Sequence, residues 1–273
     1  MAAAGMNGAR PSPQDLFRLD GRTAFVSGAA GHLGHAMVFA LSDAGAHVIV
    51  NGRDEARLKE LQEVVAARGG STECAAFDIA DTQKVRHYFA SRRRLDIIVN
   101  NAISMIPQNF EQLGEDDFLD TYRSAVVAPF EIARAALPAL QAAVADAGEA
   151  SIVNIASMYG TVAPDTRLYT RPDQASPFHY GPAKAALLQL TRHLAAELGP
   201  DRIRVNALVP GPFPRAAVLA QDPQFGARLA ARTMLGRTAD ADEIRGPLLF
   251  LASRAASFVT GCALAVDGGW TVW

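Results

Sequence analysis

At 273 residues, 49% of them hydrophobic, the chain can bury the core of one large α/β domain. Its formal net charge of −2 offers no basic field to nucleic acid or an anionic membrane, and no apolar run approaches the ~20 residues of a membrane span. Cys74 and Cys262 stand far apart and in no metal-ligand spacing, so they read as reduced thiols of a cytoplasmic protein without a metal site.

Residues 1–18 are rich in alanine, glycine and proline, lack the apolar centre of a signal peptide, and are expected to form a mobile tail. A single domain is expected over residues 19–273. Its first strand is Thr23-Ala24-Phe25-Val26, which runs into Ser27-Gly28-Ala29-Ala30-Gly31-His32-Leu33-Gly34 and then an apolar helix to about Ala44. His47 to Val50 is a second strand, and Glu55 to Arg68 a helix with charges on one face. Strand signals recur at Thr72–Phe77, Asp96–Asn100, Ser151–Ile155, Ile203–Leu208 and Ala263–Val266, with helical patterns between most of them. Strands alternating with helices predict right-handed crossovers and a parallel sheet covered on both faces. Two segments fit no regular element: Met158–Phe178, with Pro164, Pro172 and Pro177, and the stretch from Pro210 to Pro214. Both follow strands directly, so both are predicted to border the crevice outside the strands' carboxyl ends.

Three local patterns carry chemistry. The glycines of the first turn let a backbone approach a pyrophosphate, whose oxygens the exposed amides at the helix start (His32, Leu33, Gly34) would bind. His32 either lies over a phosphate or points to solvent. At the end of the second strand, Val50-Asn51-Gly52-Arg53-Asp54 has no acidic side chain at Gly52 and an arginine beside it. Arg53 matches a 2′-phosphate in charge and fork geometry, which favours NADP(H) over NAD(H); Asp54 reads as the cap of the next helix. Finally, Tyr180 and Lys184 in Tyr180-Gly181-Pro182-Ala183-Lys184 are one helical turn apart and share a helix face. A fixed ammonium beside a phenol favours the phenolate and lowers a pKa that is ordinarily about 10.

The glycine turn, a serine closing the Ile152–Ser157 strand and the Tyr180/Lys184 pair, in that order, resemble the short-chain dehydrogenase/reductase family from about Leu19 to Trp270. Gly28 and Gly34 match the outer glycines of its Thr-Gly-x-x-x-Gly-x-Gly pattern. His32 stands at the middle glycine, and Gly31 at the position where NADP-using members often carry a second basic residue. The resemblance implies that Asp78 and Ile79 contact adenine, that Asn100-Asn101-Ala102 brace the central strand and line the ribose, and that Ser157 holds the substrate oxygen. It makes Tyr180 the general acid/base, and Lys184 both the lowerer of its pKa and the holder of the nicotinamide ribose. The asparagine that often bridges a water to the lysine aligns with Ala125, leaving neighbouring Ser124 as one substitute.

The Ser157–Tyr180 interval is longer than in the ordinary member. It carries Asp165, Arg167, Tyr169, Arg171, Asp173 and His179 and reads as a substrate wall or a solvated excursion. Arg215 replaces a threonine of the family pattern; with Arg167 and Arg171 it points to a polar substrate such as a sugar acid or keto acid. The expectation is a Rossmann-type doubly wound domain that interconverts a small secondary alcohol and a ketone with NADP(H), as a homotetramer or homodimer. The alternatives are a 3-oxoacyl thioester reductase and a catalytically idle cofactor-binding sensor or scaffold.

Overall fold

The computed structural model describes residues 11–106, 110–170 and 175–273. Seven strands, β1 Thr23–Ser27, β2 His47–Gly52, β3 Ser71–Ala76, β4 Ile97–Asn100, β5 Ala150–Ile155, β6 Ile203–Pro210 and β7 Ala263–Val266, form one parallel sheet in the order β3-β2-β1-β4-β5-β6-β7. The order reverses between β1 and β4, which opens a crevice at the carboxyl ends of these two strands. Ala24 and Val26 of β1, Val48 and Val50 of β2, and Ile97 and Val99 of β4 pack into one core. Phe25, Ile49 and Ile98, the residues between them, pack into a second core on the opposite face. Strict alternation with both faces apolar makes each strand a continuous hydrophobic run.

Helices α2 His32–Asp43 and α10 Arg245–Ala252 cover the first face, and α4 Thr82–Ala90 and α6 Ala128–Ala147 the second. Helix starts are capped locally: Asp54 accepts from the amide of Arg57 at the head of α3 Glu55–Ala67, and Asp81 from two amides of α4. The expected tail contains a capped helical turn, α1 Pro13–Leu16; the rest of that expectation, residues 1–10, lies outside the described residues. The helical stretch between β4 and β5 is α5 Glu115–Tyr122 and α6 joined by a π-helical turn, Arg123–Val127. There the amide of Ala128 reaches back to Arg123 O, and Pro129, next in line, has no amide to give. Among the described residues no helix is long and apolar enough to cross a membrane.

Candidate active site

A cleft of about 430 Å³ runs along the carboxyl ends of the strands, from the end of β2 to the start of α7 Tyr180–Leu198. One wall is the glycine turn. Gly28 has φ of +63°, and a Cβ there would come within 3.0 Å of both Ala102 Cα and the Asn101 side chain. Only glycine fits this backbone beside β4. Gly28, Gly31, His32 and Leu33 all line the cleft, but Gly34 does not. A Cβ on Gly34 would overlap Gly28 O and lie 2.6 Å from Ala29 O, so Gly34 lets α2 close onto the turn from behind. Ser27 supplies the hydroxyl expected of a threonine: its Oγ accepts from the amides of Asn101 and Ala102 at 3.0 and 3.1 Å. Asn101, which also lines the cleft, donates from Nδ2 to Ser27 O and Gly28 O.

Of its two expected positions, His32 takes the one at the cleft rather than one pointing to solvent. Its Nε2 donates to Phe213 O at 3.1 Å, across the cleft, tying the glycine turn to the segment after β6. Pro210, Gly211, Phe213 and Arg215 of that segment form the facing lip, as predicted for a segment leaving a strand end. Arg215 has no carboxylate partner among the described residues.

At the far end of the cleft lie Arg53, Asp78 and Ile79. Arg53 is 71% exposed at its side chain and only approaches Asp78, at 4.0 Å. Sequence reasoning passed over Asn51, whose polar side chain in an apolar strand was a usable signal. Its Nδ2 donates to Ala75 O and Phe77 O, its buried Oδ1 has no partner, and the residue belongs to the cleft lining.

At the near end, β5 delivers Ser157 and α7 begins at Tyr180 itself, so Lys184 follows one turn later on the same face. All three side chains line the cleft. Ser157 Oγ accepts from the amide of Tyr159 at 3.2 Å, and its side chain stands by the Tyr180 phenol. Lys184 Nζ lies 5.7 Å from the centre of the Tyr180 ring and donates to Ile155 O at 2.6 Å. Burial pushes the Lys184 ammonium down to about 8. Burial also raises the Tyr180 phenol, against the opposing hydrogen bond from Ser157. The expected lowering of Tyr180 by Lys184 is therefore not the balance this geometry sets. Both groups are desolvated, and the ammonium is directed at a backbone carbonyl.

Ala125 is 1% exposed within the π-helical turn. Ser124, beside it, lines the cleft, but its hydroxyl already accepts from the amide of Ser104 at 2.9 Å and faces the carbonyls of Thr121, Asp120 and Ser104.

None of the described residues of the interval between Ser157 and Tyr180 lines this cleft. Instead Met158 and Leu168 pack with Leu229 and Trp270, joined by Tyr159, Tyr169 and Phe225. Arg228 Nε, on α9 Pro223–Ala230, donates to Leu168 O at 2.7 Å, and the Tyr159 and Tyr169 hydroxyls meet at 2.7 Å. Arg167 is held by Asp165 at 2.8 and 2.9 Å with its side chain 86% exposed, an ion pair that keeps the Asp165 carboxyl down at about 2. Arg171 and Asp173 lie outside the described residues. His179 is fully buried against Phe118, with no partner for either ring nitrogen, and burial lowers its pKa.

A family model described as enoyl-(acyl carrier protein) reductase matches residues 28–271. The chain is 34% identical over 271 residues to gluconate 5-dehydrogenase of Gluconobacter oxydans (strain 621H), covering 96% of this chain and 99% of that protein. It is 36% identical over 267 residues to the L-tagatose-forming galactitol 2-dehydrogenase of Cereibacter sphaeroides, covering 94% and 98%. The crystal structure of a gluconate 5-dehydrogenase from Burkholderia cenocepacia J2315, in complex with NADP and tartrate, superposes with a TM-score of 0.84 at 31% identity, covering 95% of this chain and 99% of that one. With a doubly wound parallel sheet, a glycine turn at its switch point and this extent of likeness, the chain belongs to the short-chain dehydrogenase/reductase family, oxidoreductases that interconvert CH–OH and C=O with NAD(P).

Proposed function

We propose that the protein interconverts a secondary alcohol and a ketone on a polyhydroxylated, acidic substrate of the sugar-acid class, with NADP(H) in preference to NAD(H). The observation that carries this reading is the convergence of Ser157, Tyr180 and Lys184 at one end of a cleft whose other end is the glycine turn and Arg53. The cleft suits a dinucleotide. Gly28, Gly31 and Leu33 line it at the glycine turn, and the amides at the head of α2 suit phosphate oxygens. The gluconate 5-dehydrogenase structure holding NADP supports the same cofactor.

NADP(H), when bound, supplies or accepts the hydride at the carbonyl carbon. Ser157 holds the substrate oxygen beside the phenol. Tyr180 gives its proton to that oxygen as charge develops during reduction, and takes the alcohol proton during oxidation. Lys184 uses one N–H on Ile155 O and keeps two for the ribose hydroxyls. Arg53 would hold the 2′-phosphate, and Asp78 and Ile79 would hold the adenine. Arg215 holds the substrate's carboxylate end. The enzyme works as a cytoplasmic homodimer or homotetramer with both cysteines reduced.

The exposed Met105, Ile106, Phe110 and Phe178 favour a second reading, reduction of a 3-oxoacyl thioester with its chain along this apolar rim. Phe110 and Phe178 meet edge to face at 5.0 Å. NADPH oxidation with 5-ketogluconate against acetoacetyl thioester decides between them. Turnover of the keto acid alone supports the first reading, and turnover of the thioester alone replaces it.

A further inference from the structure

Two buried hydroxyls beside the cleft take no part in the sheet or in the proton transfer. Thr121, near the end of α5, and Ser124, in the π-helical turn, are 1% and 2% exposed. Both close on one residue of the segment that leaves β4. Ser124 Oγ accepts from the amide of Ser104 at 2.9 Å, and Thr121 Oγ1 donates to Ser104 O at 3.0 Å. The nearest acceptor for the Ser124 hydroxyl proton is Thr121 O at 3.1 Å, so the two hydroxyl protons have separate acceptors. Side chains from one helical stretch thus hold both backbone groups of Ser104, where a loop would ordinarily leave them to water. That stretch is anchored in turn, because the π-helical turn packs against α7, which carries Tyr180 and Lys184. Ser104 lines the cleft, shortly after β4 ends at Asn100, and β4 lies next to β5, which delivers Ser157. The Ser104 hydroxyl itself has no partner among the described residues.

We infer that Thr121 and Ser124 are positioning residues that clamp the Ser104 backbone, so that the Ser104 hydroxyl binds a hydroxyl of the polyhydroxylated substrate. A serine on a free loop would lose much of a hydrogen bond's worth to the ordering of its own backbone. Here that ordering is complete before the substrate arrives. A hydroxyl both donates and accepts, so it matches an alcohol in either direction. The inference rests on the sugar-acid reading, and its test separates the two.

Ser104→Ala, Ser124→Ala and Thr121→Val each remove one hydroxyl. Each should raise the Michaelis constant for 5-ketogluconate roughly three- to tenfold, the range of one uncharged hydrogen bond, with kcat and the NADPH dissociation constant within about twofold. Thr121→Ser keeps the hydroxyl and should restore the wild-type constant. Ser124→Ala placed in the Ser104→Ala background should add less than about twofold, because it acts through a hydroxyl already gone. Hydrogen–deuterium exchange of the whole protein, read at the peptide holding Ser104, should quicken in Ser124→Ala and Thr121→Val but not in Ser104→Ala, which keeps both clamps. A thermal melt checks that each variant folds; if Ser124→Ala does not, Thr121→Val against Thr121→Ser carries the same comparison. Independent effects of Ser104→Ala and Ser124→Ala would overturn the proposal, as would an equal loss of NADPH affinity, and both hydroxyls would then be braces of the fold. Unchanged kinetics in Ser104→Ala would overturn it too, and unchanged exchange in the clamp variants would remove the clamp. A wild type inactive on 5-ketogluconate would remove the sugar-acid reading and the substrate contact with it, whereas quickened exchange in Ser124→Ala would still establish the clamp.

Discussion

The two ends of the cleft are built on different principles. The glycine-turn end is made by neighbours in sequence: β1, its turn and α2, with β2 alongside, place Gly28, His32 and Arg53 through short-range backbone requirements. At the substrate end, the lip after β6 and the segment after β5, whose described residues lie outside the cleft lining, are placed by distant partners. Leu168 rests on Leu229 and Trp270, and Phe213 is held by His32. The first kind of site tolerates little change in its glycines, because a side chain would collide with backbone. The second can be remodelled without touching the strands, so it is where one fold acquires its particular substrate.

The sharpest way to break this comparison is to remove the chemistry shared by both ends. Tyr180→Phe deletes only the transferable proton and should lower kcat by ~10²–10⁴ while the NADPH dissociation constant stays within a few-fold. Steady-state rates with a fluorescence titration check it; retention of more than a tenth of the activity would remove Tyr180 from the proton transfer. Next comes Lys184, whose folded pKa of about 8 lies below the ~10.4 of a free lysine. Below about 8 it is charged in both states and its burial cost is fully present. Between about 8 and 10.4 the unfolded chain holds a proton that the folded one has lost, so stability from this group rises with pH, by about 1.4 kcal/mol per unit. Lys184→Met should remove that rise in denaturation curves taken from pH 7 to 10. In the wild type, NADPH affinity should fall as the pH passes 8, because the ammonium facing the ribose loses its charge.

Ala125→Asn sharpens the picture between the two ends. Room for an amide and a water beside Lys184 would make the substitution harmless. Ala125 is 1% exposed inside a π-helical turn, so the larger side chain should cost ~1–3 kcal/mol and lower the melting temperature without raising kcat. An unchanged melt with a faster or shifted pH–rate profile would restore the idea of a missing relay.

What was legible in the sequence follows the same division. The strands and a sheet buried on both faces are written in the continuous apolar runs of β1, β2 and β4, and the turn in Gly28 and its neighbours, since each needs only local geometry. Gly34 was assigned to the cofactor because its spacing fits a pattern; spacing does not say which side of the turn a glycine faces. The His32–Phe213 bond joins residues far apart in the chain, and no periodicity announces it. The Ser157–Tyr180 interval is prolines and charges at the sequence level. Its packing on α9 depends on Leu168, Leu229 and Trp270 finding one another through the fold.

The smallest expected effect is also the most discriminating for the substrate end. Arg167 and Arg215 were grouped as cations at one mouth, but the structure separates them. Arg167 is spent on Asp165 at the surface, whereas Arg215 lines the cleft with no carboxylate partner among the described residues. An exposed pair within one loop contributes little and screens easily. Arg167→Ala should therefore leave the Michaelis constant for 5-ketogluconate within about twofold. Arg215→Ala should raise it roughly tenfold, the low end of a charge-assisted contact, and spare a neutral ketone of similar size. Because Arg215 leaves the lip that His32 fixes at Phe213 O, His32→Ala should give a weaker version of the same effect, through a loosened lip rather than a lost charge. Steady-state kinetics on the acid and the neutral ketone, for all three variants at two salt concentrations, distinguishes these outcomes. Equal losses on both substrates for Arg215→Ala would mean that the arginine serves the cofactor's pyrophosphate instead, and the turn at Gly28 would then share its ligand with the opposite lip.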